Sequence, residues 1–482
     1  MSSLKKQALH GAFWSFAERF GQQGVQFIVS IILARLLEPK DFGVLGMIMI
    51  FFALAQSVVD SGFGQALIQK QNASHTDEST VFWFNLLAGL AMAGALFAAA
   101  PWIAGFYDTP LLKPITQVYS LNLLINSCGI VQNSLLIKEM AFKQRMGAVF
   151  AGIIVSGVVG VLMAWKGYGV WALVVQGLVM NGVCTAGLWV VHPWRPMFVF
   201  STAAFRSLWK FGSNLLFSGI LNTFFENIYL VIIGKVYSPA QLGFYQRGQR
   251  LMLLTSQSIS QVVTQVNFPL LSRMQGDPER MRRVFVKVLQ STVLVILPMM
   301  VGLAVVASDF IQVLLGEKWM PCVPYLQILC IVGVLFPLHV LNLDAVKALG
   351  RSDIFFRLEV IKKALVAANV LITWRYGVIA LLWGQVVCSM LSLFVNAFYM
   401  HRFLKYGLWA QLWDIRKALV ATLLMGGLIG AAGTVMHTSA MITLTTQLIL
   451  GATLFAGLIL LLKDSVACEA MTMITSKFKR KI

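Results

Sequence analysis

Five polar side chains of the first apolar stretch are set on one line by their spacing: Ser15, Arg19, Gln22, Gln26 and Ser30. Steps of three and four residues keep side chains on a single face of a helix. The chemistry such a face offers is anion binding. A guanidinium grips a phosphate or carboxylate through two parallel hydrogen bonds, and neighbouring amides serve hydroxyl groups. Asn214, Ser218, Asn222 and Glu226 form a second face of this kind, and Arg247, Arg250, Gln257, Gln261 and Thr264 a third. Arg19, Gln22, Gln26, Arg247, Arg250, Gln257 and Gln261 are therefore the candidate substrate-binding residues. The carboxylates Glu18, Asp60 and Glu226 are the candidates for gating or ion coupling. At ~1.5 Å per residue, Arg19 and Asp60 reach similar depths from one side, and Glu226 and Arg250 similar depths from the other. Arg19 is then expected near Asp60 or Glu18, and Glu226 near Arg250. Two arrangements remain open: static ion pairs that hold the bundle, or pairs that open when an anionic head group takes the arginine and a proton or Na⁺ takes the carboxylate. Polar stripes also serve as hydrogen-bond links between helices of a dry bundle. Asp344 and Lys347, together with Glu359, Lys362 and Lys363, lie near span ends and are expected to be structural or snorkelling groups.

The elements that must carry these faces are membrane helices. Of 482 residues, 58% are hydrophobic and only 12% charged, with a mean hydropathy of +0.78. Apolar stretches near the ~20 residues that cross a bilayer recur near 11–34, 42–67, 80–106, 111–136, 145–165, 168–191, 209–234, 242–270, 285–308, 322–346, 355–374, 377–400, 415–436 and 441–462. Fourteen spans are therefore expected. The net charge of +19 does not point to nucleic acid, because the basic residues sit in short runs between the spans. Of 38 Lys and Arg, 26 fall in the termini and the even-numbered connections and seven in the odd-numbered ones. Basic residues stay on the cytoplasmic side, so both termini are expected there. Lys5 and Lys6 precede a span holding Glu18 and Arg19 with no small-residue cleavage site, which predicts a retained first helix. The six cysteines are scattered, without metal-ligand spacing or a disulfide framework. No phosphate loop, Ser/His/Asp set or metal cluster is present, and no connection is long enough for a soluble catalytic domain. The expectation is a protein that is not an enzyme and has no cofactor, with H⁺ or Na⁺ coupling left open.

The chain also repeats itself. Ile32–Gly43, ILARLLEPKDFG, aligns without a gap on Ile232–Gly243, IIGKVYSPAQLG, matching Pro39 to Pro239 and Gly43 to Gly243. Tyr168-Gly169-Val170-Trp171-Ala172-Leu173 is echoed by Tyr376-Gly377-Val378-Ile379-Ala380-Leu381. Internal repeats in an apolar chain are a mark of transporters. Two pseudo-symmetric six-helix bundles follow, over residues 1–200 and 201–405. Residues 406–482 supply two further helices and a basic cytoplasmic tail.

ILARLLEPKDFGVLGM and the later stretch Asp60-Ser61-Gly62-Phe63-Gly64-Gln65-Ala66-Leu67-Ile68-Gln69 resemble the polysaccharide-transporter (Wzx-type) branch of the MOP flippase superfamily. The resemblance implies an all-α multi-pass protein of a bacterial inner membrane. It implies flipping of undecaprenyl-diphosphate-linked oligosaccharide to the periplasmic leaflet, for exopolysaccharide, capsule or O-antigen synthesis. Alternating access driven by an ion gradient belongs to the same expectation. The implied partners are the lipid-linked oligosaccharide, membrane lipids, and polysaccharide polymerase and export machinery. A drug or cation exporter of the same superfamily is the alternative. Such a protein favours acidic residues for its substrates, and the arginines here argue against it.

Overall fold

The computed structural model describes residues 21–436, 438–464, 466–469 and 472. Every regular element among them is helical. The start of the first expected span, with Ser15, Glu18 and Arg19, lies outside the described residues, as do the side chain of Asn214 and the end of the basic tail. The described residues form eleven helical spans, some in more than one piece, that are long and apolar enough to cross a membrane. The expected spans at 11–34, 242–270 and 355–374 are not among those eleven. The first begins outside the described residues; the others form helices with more polar surface.

The chain divides into two compact units, Met1–Gly243 and Phe244–Ile482. The first holds α1 (21–36), α2 (Pro39–Asp60), α3 (Phe63–Gln69), α4 (His75–Phe106), α5 (Leu112–Tyr119), α6 (Leu121–Ser127), α7 (Ile130–Lys138), α8 (Phe142–Trp165), α9 (Val170–Val191) and α10 (Thr202–Val236). α11 (Pro239–Ser272) begins at its end and runs on into the second unit. There follow α12 (Pro278–Val305), α13 (Ala307–Leu315), a 3₁₀ turn (Glu317–Cys322), α14 (Val323–Ala348), α15 (Ser352–Thr373), α16 (Val378–Leu404), α17 (Leu408–Val435) and α18 (Ala440–Leu461).

Local chemistry sets the helix starts. Pro39 opens α2, where its fixed φ and missing N–H cost nothing. α4 starts on a reciprocal cap: the Ser74 hydroxyl accepts from the Asp77 N–H at 3.2 Å, and the Ser74 N–H donates to the Asp77 carboxylate at 2.9 Å. Both copies of the second echo start a helix in the same way, with a left-handed glycine, Gly169 before α9 (φ 53°) and Gly377 before α16 (φ 94°). A side chain at either position is strained whatever the space around it.

The two copies of the first echo lie against each other within the first unit. A Cβ on Gly43 would overlap the carbonyl oxygen of Pro239, and one on Gly243 would overlap that of Pro39. The glycines thus permit backbone-to-backbone contact between two helix starts related by the repeat. α10, which the repeat assigns to the second half of the sequence, packs along α2 in the first unit. A hydroxyl contact of 3.1 Å between Ser57 and Thr223 joins these helices part-way along.

Several connections are joined to one another within each unit. Lys138 Nζ donates to the Lys70 carbonyl at 2.7 Å, and His75 contacts the Arg195 carbonyl at 2.9 Å. Asp108 and Lys235, from odd-numbered connections, pair at 2.9 Å. In the second unit Lys417 reaches the Lys463 carbonyl at 2.8 Å, and Lys287 pairs with Glu469 at 3.2 Å. Reporter fusions after Lys70, Arg283 and Lys417 are expected to report cytoplasm, and fusions after Lys40, Lys113 and Lys318 periplasm. A periplasmic signal after Arg283 contradicts the alternation. The core of the second unit is built by Phe285, Leu289, Leu341, Ala345, Leu393, Met400 and Ala418 from α12, α14, α16 and α17.

Candidate functional site

Asp60 ends α2, and the chain turns there through two consecutive left-handed residues, Ser61 (φ 42°) and Gly62 (φ 71°). Gly62 suits its position because a residue without Cβ enters this conformation freely. The turn is wedged against α10, where a Cβ on Gly212 would come 2.7 Å from the Ser61 carbonyl oxygen. α3 then continues from Phe63, which is buried among Phe84, Phe205 and Trp209. The break leaves Asp60 exposed on the wall of a recess of about 640 Å³, entirely within the first unit.

A second broken helix forms another wall. Residues 112–138 make one span in three pieces, α5, α6 and α7, with interruptions at Ser120 and at Cys128-Gly129. Breaks at membrane depth persist only where the freed backbone groups find other partners. Here one stripe of α9 meets the broken span, through one side chain and two backbone carbonyls. Asn181 Nδ2 donates to Asn122 Oδ1 at 2.6 Å, Thr185 Oγ1 to the Ile125 carbonyl at 3.2 Å, and Trp189 Nε1 to the Cys128 carbonyl at 2.8 Å. From α8, Arg145 Nε donates to Asn133 Oδ1 at 2.8 Å, which directs the guanidinium along the recess wall.

The lining therefore combines one carboxylate, Asp60, and one guanidinium, Arg145, with Gln65, Asn126, Asn133 and Asn181. Asp60 Oδ1 accepts from Gln56 at 2.9 Å. Lys138 and the exposed Lys143 follow just beyond the recess in sequence, with Lys70, itself paired with Asp77 at 2.7 Å, beside Lys138. Amides present donors and acceptors side by side, matching sugar hydroxyls, and a guanidinium matches phosphate. The basic groups raise the local concentration of anions.

The sequence-derived candidates are distributed as follows. Gln22 and Gln26 are half-buried on α1; Glu18 and Arg19 lie outside the described residues. Glu226 is exposed on α10 in the first unit and accepts from Asn222 Nδ2 at 2.7 Å. In the second unit, Arg247 is only 6% exposed, with its guanidinium 5.1 Å from the ring centre of buried Trp319, whereas Arg250, three residues on, is exposed. Gln257 is exposed and Gln261 half-buried further along α11. Glu226 and Arg250 thus belong to different units. The Asn and Thr side chains of the recess, and Arg145, were not among the sequence candidates. Asn181, Thr185 and Trp189, four residues apart, formed a stripe that the same spacing argument would have found.

Polar walls built from broken helices, enclosed in apolar spans, are features of membrane transport proteins. The same fold is seen in a solved structure, the lipid II flippase MurJ in an inward closed conformation. It superposes with a TM-score of 0.77 at 15% identity, over 93% of this chain and 98% of that one. The sequence is specific where the fold is general: residues 32–324 match the polysaccharide biosynthesis protein family, and the chain belongs to it. Among its relatives, the teichuronic acid biosynthesis protein TuaB of Bacillus subtilis (strain 168) is 26% identical over 88% of this chain and 89% of its own. The lipopolysaccharide biosynthesis protein WzxC of Escherichia coli (strain K12) is 26% identical over 82% of this chain and 81% of its own. The resemblance to Wzx-type polysaccharide transporters read from the sequence is thus met by the family match.

Proposed function

We propose that this protein flips an undecaprenyl-diphosphate-linked oligosaccharide from the cytoplasmic to the periplasmic leaflet of a bacterial inner membrane. The observation that carries the reading is the recess of the first unit, with amide-rich walls around Arg145 and Asp60 and a basic approach. The diphosphate is held by Arg145 on that side, and Arg19 and the exposed Arg250 serve it as the site turns over. The sugar is met by Asn126, Asn133 and Asn181, and the polyprenyl tail stays in the bilayer. Fourteen crossings with both termini in the cytoplasm, and movement of lobes 1–200 and 201–405 between inward and outward access, complete the account. The protein is not an enzyme: it makes and breaks no covalent bond. It hands its product to polysaccharide polymerase and export machinery.

Coupling to H⁺ or Na⁺ is assigned to Glu226, with Asp60 and Glu18 as its counterparts in the first half. Phosphate binding at an arginine and cation binding at the carboxylate are then favoured together, a reciprocal link between the two ligands. Glu226→Gln is then expected to fold, bind substrate and flip it at a rate that no longer responds to an imposed H⁺ or Na⁺ gradient. If Glu226 plays only a structural part, the same change leaves the response to the gradient intact. A parental gradient response in reconstituted liposomes contradicts the coupling role.

The function itself is tested in cells lacking the protein. A diphosphate-linked glycan should accumulate on the cytoplasmic leaflet and vanish on complementation. Accumulation of no lipid-linked glycan contradicts the proposal.

A further inference from the structure

Residues 418–462 contain no Asp, Glu, Lys or Arg, and they are bracketed by Arg416-Lys417 on one side and Lys463 on the other. They carry most of α17 and all of α18, which pack on each other in the second unit and are joined by residues 436–439. The two ends of the uncharged stretch therefore return to one place. There Lys417 Nζ donates to the Lys463 carbonyl at 2.8 Å. Three cations thus close the open end of this hairpin, the end that the distribution of basic residues assigns to the cytoplasm.

The acidic residues nearest to them in sequence are engaged with other groups. Asp414 Oδ2 accepts from the Tyr406 hydroxyl at 2.7 Å. Asp464 is 6% exposed, and its Oδ1 accepts from the backbone N–H groups of Val466 at 3.0 Å and Ala467 at 3.2 Å. Glu469 pairs with Lys287 at 3.2 Å. Arg416 is meanwhile held in place with most of its donors free. Its guanidinium carbon lies 4.0 Å from the centre of the Trp413 ring, and Nη1 donates to the Trp413 carbonyl at 2.6 Å. Both contacts turn the side chain back towards the start of α17. They commit one of five N–H donors and stack the planar group on an indole, which fixes its orientation.

The surroundings select the kind of anion. Trp409 and Trp413, one turn apart on α17, are 83% and 64% exposed, as indoles are at a membrane–water interface. Past Arg416 the exposed side chains of the same helix are apolar, Leu419, Val420 and Leu423 among them. Arg416 therefore stands at the boundary between charge and hydrocarbon. A phospholipid matches both sides of that boundary: its phosphate meets the guanidinium fork, and its acyl chains cover the leucine surface. A soluble anion matches only the first. Basic groups between helices at the cytoplasmic face are suited to anionic head groups.

We propose that Arg416, Lys417 and Lys463, with Trp413 as the platform for the guanidinium, bind the head group of an anionic phospholipid in the cytoplasmic leaflet. The lipid adds a second link across the open end of the α17–α18 hairpin, beside the Lys417–Lys463 bond. The site is separate in sequence and unit from the Asp60–Arg145 recess, and it does not depend on which glycan lipid the chain carries.

The test uses the full-length protein purified in detergent and titrated with phosphatidylglycerol at constant ionic strength. Its unfolding temperature is followed by tryptophan fluorescence. A ligand that binds only the folded state raises Tm with a saturating dependence. Phosphatidylglycerol is expected to do so, and phosphatidylcholine with the same acyl chains, inorganic phosphate and inorganic diphosphate to do so far less. Arg416→Gln and Lys463→Gln are each expected to raise the midpoint about fivefold, the share of one cation near an anionic surface. Arg357→Gln, which removes an exposed arginine from α15, should leave the midpoint unchanged. If Arg416→Gln does not fold, Lys463→Gln, at an exposed position just past α18, carries the comparison. Equal stabilisation by phosphatidylcholine or by free phosphate overturns the proposal. So does a midpoint that neither site variant moves, or one that Arg357→Gln moves as far as they do, which is the mark of diffuse attraction to a basic surface.

Discussion

Gly43→Val abolishes export while leaving the protein inserted in the membrane. The added side chain falls on the Pro239 carbonyl, a backbone atom that no rotamer change can move aside. Overpacking a tight contact costs about 1–3 kcal/mol and occasionally more. Here the strain falls on the contact between the two repeat turns, so it acts on the arrangement that brings them together before it acts on folding. Gly243→Val, whose side chain falls on the Pro39 carbonyl, should reproduce the loss. Gly94, with nothing within 4 Å of an added Cβ, supplies the control. Gly94→Ala should retain export, since alanine is better than glycine in a helix by about 1 kcal/mol. Export restored to a deletion strain, measured beside protein abundance in the membrane, decides the matter. Parental export by Gly43→Val would show that the two turns need not touch.

Arg145→Ala is expected to have the second large effect, a loss of substrate binding of about tenfold to a hundredfold. A hydrogen bond to a charged group contributes about 1.5–3 kcal/mol, and each 1.4 kcal/mol is a factor of ten. Arg145→Lys should recover only part of the affinity, because an ammonium lacks the planar fork that matches phosphate. Asn133 holds Arg145 Nε at 2.8 Å, so Asn133→Ala should weaken binding less, by loosening the guanidinium without removing it. The comparison separates a substrate contact from a purely structural arginine. In the structural case Arg145→Ala lowers membrane abundance and the affinity of the surviving protein is unchanged.

The repeat was legible in the sequence because its turns demand particular residues. Proline at the start of α2 and α11, and glycine one turn later, are imposed by backbone geometry and close approach. The left-handed glycines before α9 and α16 were legible for the same reason. Asp60 was visible as an isolated charge in an apolar span, though the turn at Ser61-Gly62 that exposes it was visible only as part of a family resemblance. The rest of the recess was hidden. Asn126 and Asn133 come from a span broken into three pieces, so no continuous periodicity connects them. Arg145 was counted as one more basic residue near a span end, where charge sidedness alone explains it. The burial of Arg247 against Trp319 depends on a contact across more than seventy residues, which spacing along one helix cannot reveal. The burial of Asp344, expected with Lys347 as a span-end group, escaped for a related reason. Position along a span reports depth, whereas the direction of a side chain depends on what its neighbours leave open.

Transport of the lipid is the central claim, and reconstitution measures it without the rest of the biosynthetic machinery. Purified protein is placed in liposomes that carry an undecaprenyl-diphosphate-linked oligosaccharide, and a membrane-impermeant glycosidase or lectin reports the fraction reaching the opposite leaflet. The account predicts that this fraction rises with time in protein-containing liposomes and rises more slowly with Arg145→Ala at limiting substrate. Equal exposure of the glycan with and without the parent protein would contradict it.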